Sequence, residues 1–168
     1  MFSRVLNKLL KHHDLSEEEA AEAMAEIMAG NAAASQIGAL LIGLAIKGER
    51  PNEIVGLART MRANAVQLTK PRSNVFDTCG TGGDQSNTFN VSSVAALVIA
   101  GCEVTVAKHG NRSVSSRCGS ADLFEALGVN VAASPLQVER CLDGAGIAFF
   151  FAPTFHPSMK HAGPTRKD

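Results

Sequence analysis

Apolar residues recur at helical spacing through the first 70 positions, and that spacing gives way to shorter runs after Pro71-Arg72-Ser73-Asn74. Val5, Leu6, Leu9 and Leu10 form a small apolar face. Leu15-Ser16-Glu17-Glu18-Glu19 has the form of a capping box preceded by a hydrophobic residue, and Ala20, Met24, Ile27 and Met28 carry the stripe on to Gly30. A third helix is expected from about Ala33 to Lys47, with Ile37, Leu40, Leu41 and Leu44 inward and Gly48 as its stop. Pro51 opens a fourth, with Ile54, Leu57, Ala58, Met61 and Ala65 at helical spacing. The pattern predicts an all-helical subdomain over residues 1–70.

Beyond it, β-like runs (Val75–Thr78, Glu103–Ala107, Ile147–Phe151) alternate with helical stretches at about Ser92–Ala100, Ala121–Leu127 and Leu136–Asp143. Strand, loop, helix, strand is the grammar of a parallel sheet with crossover helices. The fold class expected is therefore α/β with an amino-terminal helical subdomain, and residues 71–168 are the start of an α/β domain. Three strands leave a parallel sheet with edges and faces uncovered, so the chain is expected to be a truncated part of a longer fold.

Composition narrows the function. Basic and acidic residues balance at 16 each, so no global field draws the chain to nucleic acid or a membrane. The four cysteines (Cys79, Cys102, Cys118, Cys141) show no zinc spacing and read as reduced thiols of a cytoplasmic protein. Met1–Leu10 does not read as a signal peptide. The richest apolar run, Ile37–Ile46, is about half of the roughly 20 residues a membrane span needs.

The chemistry concentrates in two stretches that follow predicted strands. The first is Asp77-Thr78-Cys79-Gly80-Thr81-Gly82-Gly83-Asp84, continued by Thr88-Phe89-Asn90-Val91-Ser92-Ser93. The second is Lys108-His109-Gly110-Asn111-Arg112-Ser113-Val114-Ser115-Ser116-Arg117, continued by Gly119-Ser120-Ala121-Asp122. Glycines let backbone N–H groups approach a ligand, and helix N-termini add donors and partial positive charge. The first stretch is neither a Walker loop nor a dinucleotide fingerprint, because no Lys followed by Ser or Thr closes it and Gln85 replaces the third glycine. Alone it is as much a turn as a site. Its flanking carboxylates, Asp77 and Asp84, suit ribose hydroxyls or a hydrated Mg²⁺, which favours a sugar phosphate. Asn90, Ser92 and Ser93 serve equally as a helix cap, and Ser92 could offer a hydroxyl to a metal. Lys108, Arg112 and Arg117 lie in a span without any acid, which suits oxyanions better than a solvated loop does. Two such loops on consecutive βα units suggest a ligand with two separated anionic groups. His156 and Lys160 lie one helical turn apart; taken alone, surface placement suits them best.

The strings DTCGTGGD, TFNVSS, VAKHGNRSVSSRCGSAD, LGVNV and FFAPTFHPSMKHAGPTRKD resemble the anthranilate phosphoribosyltransferases of tryptophan biosynthesis, over essentially the whole chain. The resemblance implies a nucleoside phosphorylase/phosphoribosyltransferase-like fold and a pentosyl transfer. Anthranilate and phosphoribosyl pyrophosphate would give N-(5-phosphoribosyl)anthranilate and pyrophosphate, with Mg²⁺. It implies that Gly80, Gly83, Asp84, Thr88, Asn90, Ser92 and Ser93 contact the phosphoribosyl donor, with Ser92 also a Mg²⁺ ligand. Lys108, His109, Gly110, Asn111, Arg112, Ser113, Ser115, Ser116 and Ser120 would hold its phosphates. Gly80, Asn111, His156 and Arg166 would lie on the anthranilate side, Arg166 pairing the carboxylate.

Lys108, Asn111 and Arg112 would act by electrostatics and positioning, and no catalytic base is implied, because an aniline nitrogen is uncharged at neutral pH. The family's acidic Asp-Glu metal pair and remaining strands fall beyond residue 168, so this chain alone is expected to turn over weakly or not at all. A homodimer through the helical subdomain is also implied. Gln85 and Cys118 stand where members commonly carry Gly and Ser. Pyrimidine nucleoside phosphorylases share the architecture, but the KHGN string argues against them. A nucleic-acid-binding relative is disfavoured by the zero net charge.

Overall fold

The computed structural model describes residues 1–80, 89–113 and 118–166. Two compact units divide it: residues 1–65 with those from 156 onward, and residues 66–155.

The first unit is helical: α1 (Phe2–Leu10), α2 (Glu17–Ala29), α3 (Ala34–Lys47) and α4 (Pro51–Ala63). The expected capping box forms, the Glu19 N–H donating to Ser16 Oγ at 3.2 Å and the Ser16 N–H to Glu19 Oε2 at 2.9 Å. Gly30 ends α2 in the left-handed region at φ 78°, where the His161 ring also leaves no room for a Cβ. The buried core joins Phe2, Val5 and Leu9 to Leu15, Ile27, Ile37, Leu40 and Leu44. α4 lies so close to α2 that a Cβ at Gly56 would overlap the Glu17 carbonyl. Pro157–His161 forms a 3-10 turn, and Ala162 enters this same core. By their contacts the described residues from 156 onward group with the helices.

Four apolar side chains expected inward or on an apolar stripe lie outside: Leu10, Leu41, Ile54 and Ala58 are all exposed. The buried line of α4 runs through Glu53 and Gly56 instead. Glu53 is fully buried, and its carboxylate accepts from the Leu15 N–H (2.8 Å), the Arg50 N–H (2.7 Å) and Lys47 Nζ (3.0 Å). A charge in this core is tolerated because three donors satisfy it.

The second unit holds β1 (Val106–Gly110), β2 (Ile147–Phe151) and the helices α5 (Val91–Gly101), α6 (Ser120–Ala126), α7 (Pro135–Ala145) and α8 (Ala152–Phe155). β1 and β2 are parallel, in a register running from Val106 opposite Ile147 to Gly110 opposite Phe151. The strand expected at Val75–Thr78 reduces to one parallel bridge, Phe76 opposite Val106. The strand expected at Glu103–Ala107 begins three residues later. Glu103 takes a positive φ of 65° and donates its N–H to the Ala100 carbonyl, so it finishes the helix rather than starting the strand. Alternation along β2 sends Phe149 to a cluster with Ala121, Phe124 and Val131, and Ala148 to one with Val138, Leu142 and Phe155. The Thr69 hydroxyl donates to Glu139 at 2.6 Å, fastening the entry segment to α7.

Candidate functional site

The Phe76 segment and β1 are neighbours in one parallel arrangement, so the residues after Phe76 and after Gly110 leave the sheet at the same end. Gly83, Asp84 and Thr88 of the first stretch, and Ser115 and Ser116 of the second, lie outside the described residues. The remaining parts of the two stretches are tied together. Asp77 Oδ1 accepts the Cys79 N–H at 3.0 Å and the His109 N–H at 3.2 Å, bridging first stretch to second. Cys79 Sγ lies 3.5 Å from His109 Nδ1. Asn90 stands at the N-cap of α5 yet does not cap it; its amide reaches the Gly119 carbonyl at 3.4 Å. Thr78 Oγ1 donates to the Ser92 carbonyl at 2.7 Å.

Two close approaches explain glycines here. A Cβ on Gly110 would strike Ser120 Oγ and come within 2.7 Å of the Phe149 ring. One on Gly119 would strike the backbone of Asn111, Arg112 and Ser113. The Asn111 carbonyl accepts from the Ala121 N–H at 3.1 Å and the Ser120 hydroxyl at 3.4 Å, so the second stretch is pinned to the start of α6.

Lys108 sits on the inward side of β1 at 2% exposure. Its ammonium donates to the His109 carbonyl at 2.6 Å, and among the described residues no carboxylate pairs with it. Ser93 is fully buried, and among the described residues its hydroxyl has no hydrogen-bond partner. A buried cation and a buried hydroxyl that find no carboxylate and no partner among the described residues each carry a desolvation cost that an oxyanion would relieve.

Arg112 is placed differently. Its guanidinium donates to Glu125 through both terminal nitrogens, at 2.8 and 3.2 Å, and to Asp122 Oδ1 at 2.7 Å, and it lies 6.0 Å from the Phe151 ring centroid. Glu125 first and Asp122 second hold it above its ordinary pKa. Asp122 also accepts the N–H groups of Gly119 (2.8 Å) and Ser113 (3.3 Å). The Gly119 N–H before Arg112, and Arg112 likewise, keep its carboxyl below the usual range. The span 108–117 contains no acid, but α6 supplies two. The signal for Asp122 was available: it is the third helical residue after Gly119, where a carboxylate reaches back to the N-cap N–H.

His156 and Arg166 belong to the helical unit; Gly80 and Asn111 belong to the α/β unit. For Mg²⁺, the Ser92 hydroxyl is a suitable hard oxygen donor at the start of α5. Among the described residues no three His, Cys, Asp or Glu side chains cluster to hold a metal ion. The Ser92 hydroxyl fits a cation that arrives on substrate phosphates and keeps its waters.

Family models for the helical bundle domain and the a/b domain of a glycosyl transferase family match residues 3–65 and 72–168. The chain belongs to this glycosyl transferase family. Over its full length it is 55% identical to the anthranilate phosphoribosyltransferase of Moorella thermoacetica and 54% identical to that of Desulforudis audaxviator, covering 50% and 49% of them. The chain thus spans about half the length of the curated relatives it matches. The crystal structure of the Thermus thermophilus anthranilate phosphoribosyltransferase superposes with a TM-score of 0.89 at 46% identity, over 96% of this chain and 49% of that one. The Saccharomyces cerevisiae enzyme, in complex with phosphoribosyl pyrophosphate and Mg, gives 0.89 at 26% identity, over 99% and 50%. The phosphoribosyltransferase-like fold expected from the sequence is the one found, over about half of the relatives' length. The likeness to these glycosyl transferases supports neither of the alternative readings. Among the described residues no helix is long and apolar enough to cross a membrane.

Proposed function

We propose that this chain provides the phosphoribosyl-donor half of an anthranilate phosphoribosyltransferase, acting in tryptophan biosynthesis in the cytoplasm. The observation that carries the reading is identity of 55% over all 168 residues to an enzyme of that name. The yeast neighbour's complex with phosphoribosyl pyrophosphate and Mg supports the donor and the cation.

In this reading Lys108 attracts pyrophosphate oxygens, and Ser93 and the start of α5 supply neutral donors beside it. Gly80, Gly83, Asp84, Thr88, Asn90 and Ser92 complete the donor contacts. Asn111, held by α6, orients the acceptor. Displacing pyrophosphate from the ribose C1 builds oxocarbenium-like charge, and the anthranilate nitrogen attacks as the C1–O bond breaks. Mg²⁺ on the pyrophosphate, through Ser92 and water, would stabilise the leaving group's negative charge. Arg112 shapes the loop through Asp122 and Glu125 and offers less free charge to phosphate than Lys108 does. The exposed Leu41, Ile42 and Ile46 of α3 support a homodimer through the helical unit.

The test is loss of anthranilate fluorescence with phosphoribosyl pyrophosphate and Mg²⁺. The 168-residue chain should show little or none. The same chain fused to the second half of the Moorella relative should show donor-dependent loss. A soluble fusion that binds neither donor nor anthranilate would refute the assignment.

A further inference from the structure

The Cys79 thiol has no part in the proposed transfer. All four cysteines are exposed, so access does not distinguish their thiols. Their neighbours do. Cys79 Sγ stands 3.5 Å from His109 Nδ1, within hydrogen-bond reach for sulfur, and 3.3 Å from the Gly80 carbonyl oxygen. Cys102, at the end of α5, and Cys141, within α7, make no side-chain hydrogen bond among the described residues. The pair at Cys79 is also held in place. Asp77 Oδ1 accepts the N–H groups of both Cys79 and His109, so one carboxylate oxygen fixes the two backbones against each other. His109 lies within β1, paired in register with Phe150 of β2, which anchors the imidazole on the sheet. A thiol with a base in reach, and a third group that orients the two, is the arrangement of an activated nucleophile. Passage of the proton from Sγ to Nδ1 leaves a thiolate beside an imidazolium, with the net charge of the pair unchanged.

We infer that Cys79 is a modification site, a thiol activated by His109 whose substrate class is small peroxides. The thiolate sulfur attacks one oxygen of hydrogen peroxide. An S–O bond forms as the O–O bond breaks, and the departing hydroxide takes the proton held on His109 Nδ1. Sulfur is oxidised to a sulfenic acid and the peroxide is reduced to water, so atoms and electrons balance. The added oxygen stands beside Gly80, a residue of the proposed donor contacts, and oxidation therefore weakens donor binding. That consequence rests on the proposed function; the reactivity of the thiol does not.

The reduced 168-residue chain, treated with a limiting amount of hydrogen peroxide and a dimedone trap for sulfenic acid, tests the inference by peptide mass spectrometry. Cys79 should gain the adduct at least about tenfold faster than Cys102 or Cys141. In urea the ratio should collapse to near unity, and His109→Gln should bring Cys79 down to the rate of the other two. Equal rates in the folded chain, or an undiminished Cys79 rate in His109→Gln, would overturn the inference. The consequence is read in the chain fused to the second half of the Moorella relative. Peroxide should weaken its binding of phosphoribosyl pyrophosphate at least about tenfold and leave the affinity of Cys79→Ser unchanged. A complete adduct on Cys79 with unaltered affinity would overturn the consequence. A fused chain that binds no donor before peroxide would instead refute the donor-site reading, and the adduct rates would still decide the reactivity of Cys79.

Discussion

Replacing Gly119 by Ala tests the packing that holds the second loop. Gly119 has φ −81°, a conformation open to any residue, so backbone strain plays no part. The obstacle is space. An added Cβ would stand 2.6 Å from the Arg112 carbonyl carbon, 2.7 Å from the Asn111 oxygen and closer still to the Ser113 nitrogen. All three are backbone atoms pinned by bonds from Ala121, Ser120 and Asp122, so no flexible side chain can yield. Overpacking of this kind costs about 1–3 kcal/mol. At the usual slope for a chain of this size, the melting temperature should fall by about 2–12 °C. Any relaxation must displace Asn111–Ser113, so affinity for phosphoribosyl pyrophosphate should fall in the same variant. Gly144→Ala is the matched control. It adds the same methyl inside α7 with nothing within 4 Å, and removing a helical glycine should stabilise by up to ~1 kcal/mol. Thermal denaturation and donor titration of both variants decide it. Wild-type melting and wild-type affinity in Gly119→Ala would refute the reasoning.

In the helical unit, Glu53→Ala leaves the Leu15 and Arg50 N–H groups without their acceptor, while Lys47 keeps Asp14 (2.9 Å) and the Gly48 carbonyl (2.7 Å), and should cost about 1–3 kcal/mol for each lost buried bond in urea denaturation; a loss near zero would mean that desolvation already cancels those bonds. Lys108→Ala should weaken phosphoribosyl pyrophosphate binding by about 10- to 100-fold in calorimetry, and unchanged affinity would remove Lys108 from the donor site. Acid should loosen the second loop: Asp122, through the Gly119 N–H and then Arg112, and Glu125, through Arg112, titrate below the ordinary carboxylate values of about 3.9 and 4.3. Their contribution is therefore complete above those values and is lost as pH falls through the lower folded ones. Denaturation followed between neutral pH and pH 3 should show this fall, and Asp122→Asn should flatten it.

Local signals read well wherever one turn of chain determines the outcome. Ser16 and Glu19 made their capping box, Pro51 opened its helix, and Gly30 and Gly48 stood just past the ends of α2 and α3. Signals failed where tertiary partners override apolarity. Ile54 looked like core, yet the buried position beside it belongs to Glu53, because the third residue after an N-cap can turn its carboxylate back onto the backbone. Lys108-His109-Gly110 looked like loop, yet it is the end of β1, since Lys108 can bury its stem while its ammonium finds the His109 carbonyl. Arg112 looked unopposed because its acids arrive from the next helix, at 122 and 125.

The same long-range contacts give the two loops a property that neither motif shows alone. Asp77 belongs to the first stretch but accepts an N–H from His109 in the second. Asn90 opens α5 but spends its amide on Gly119, the residue that opens α6. Gly119 in turn packs against Asn111–Ser113. The described parts of the two stretches thus hold one another: Asp77, Asn90 and Gly119 cannot shift without breaking a contact with the other stretch. Pre-organisation of this sort suits a ligand with anionic groups at two ends, because the spacing between their binding points is fixed before it arrives. It also explains why the two glycine-rich stretches fall on consecutive βα units: adjacent parallel strands bring the residues after them close enough for Asp77 to reach His109.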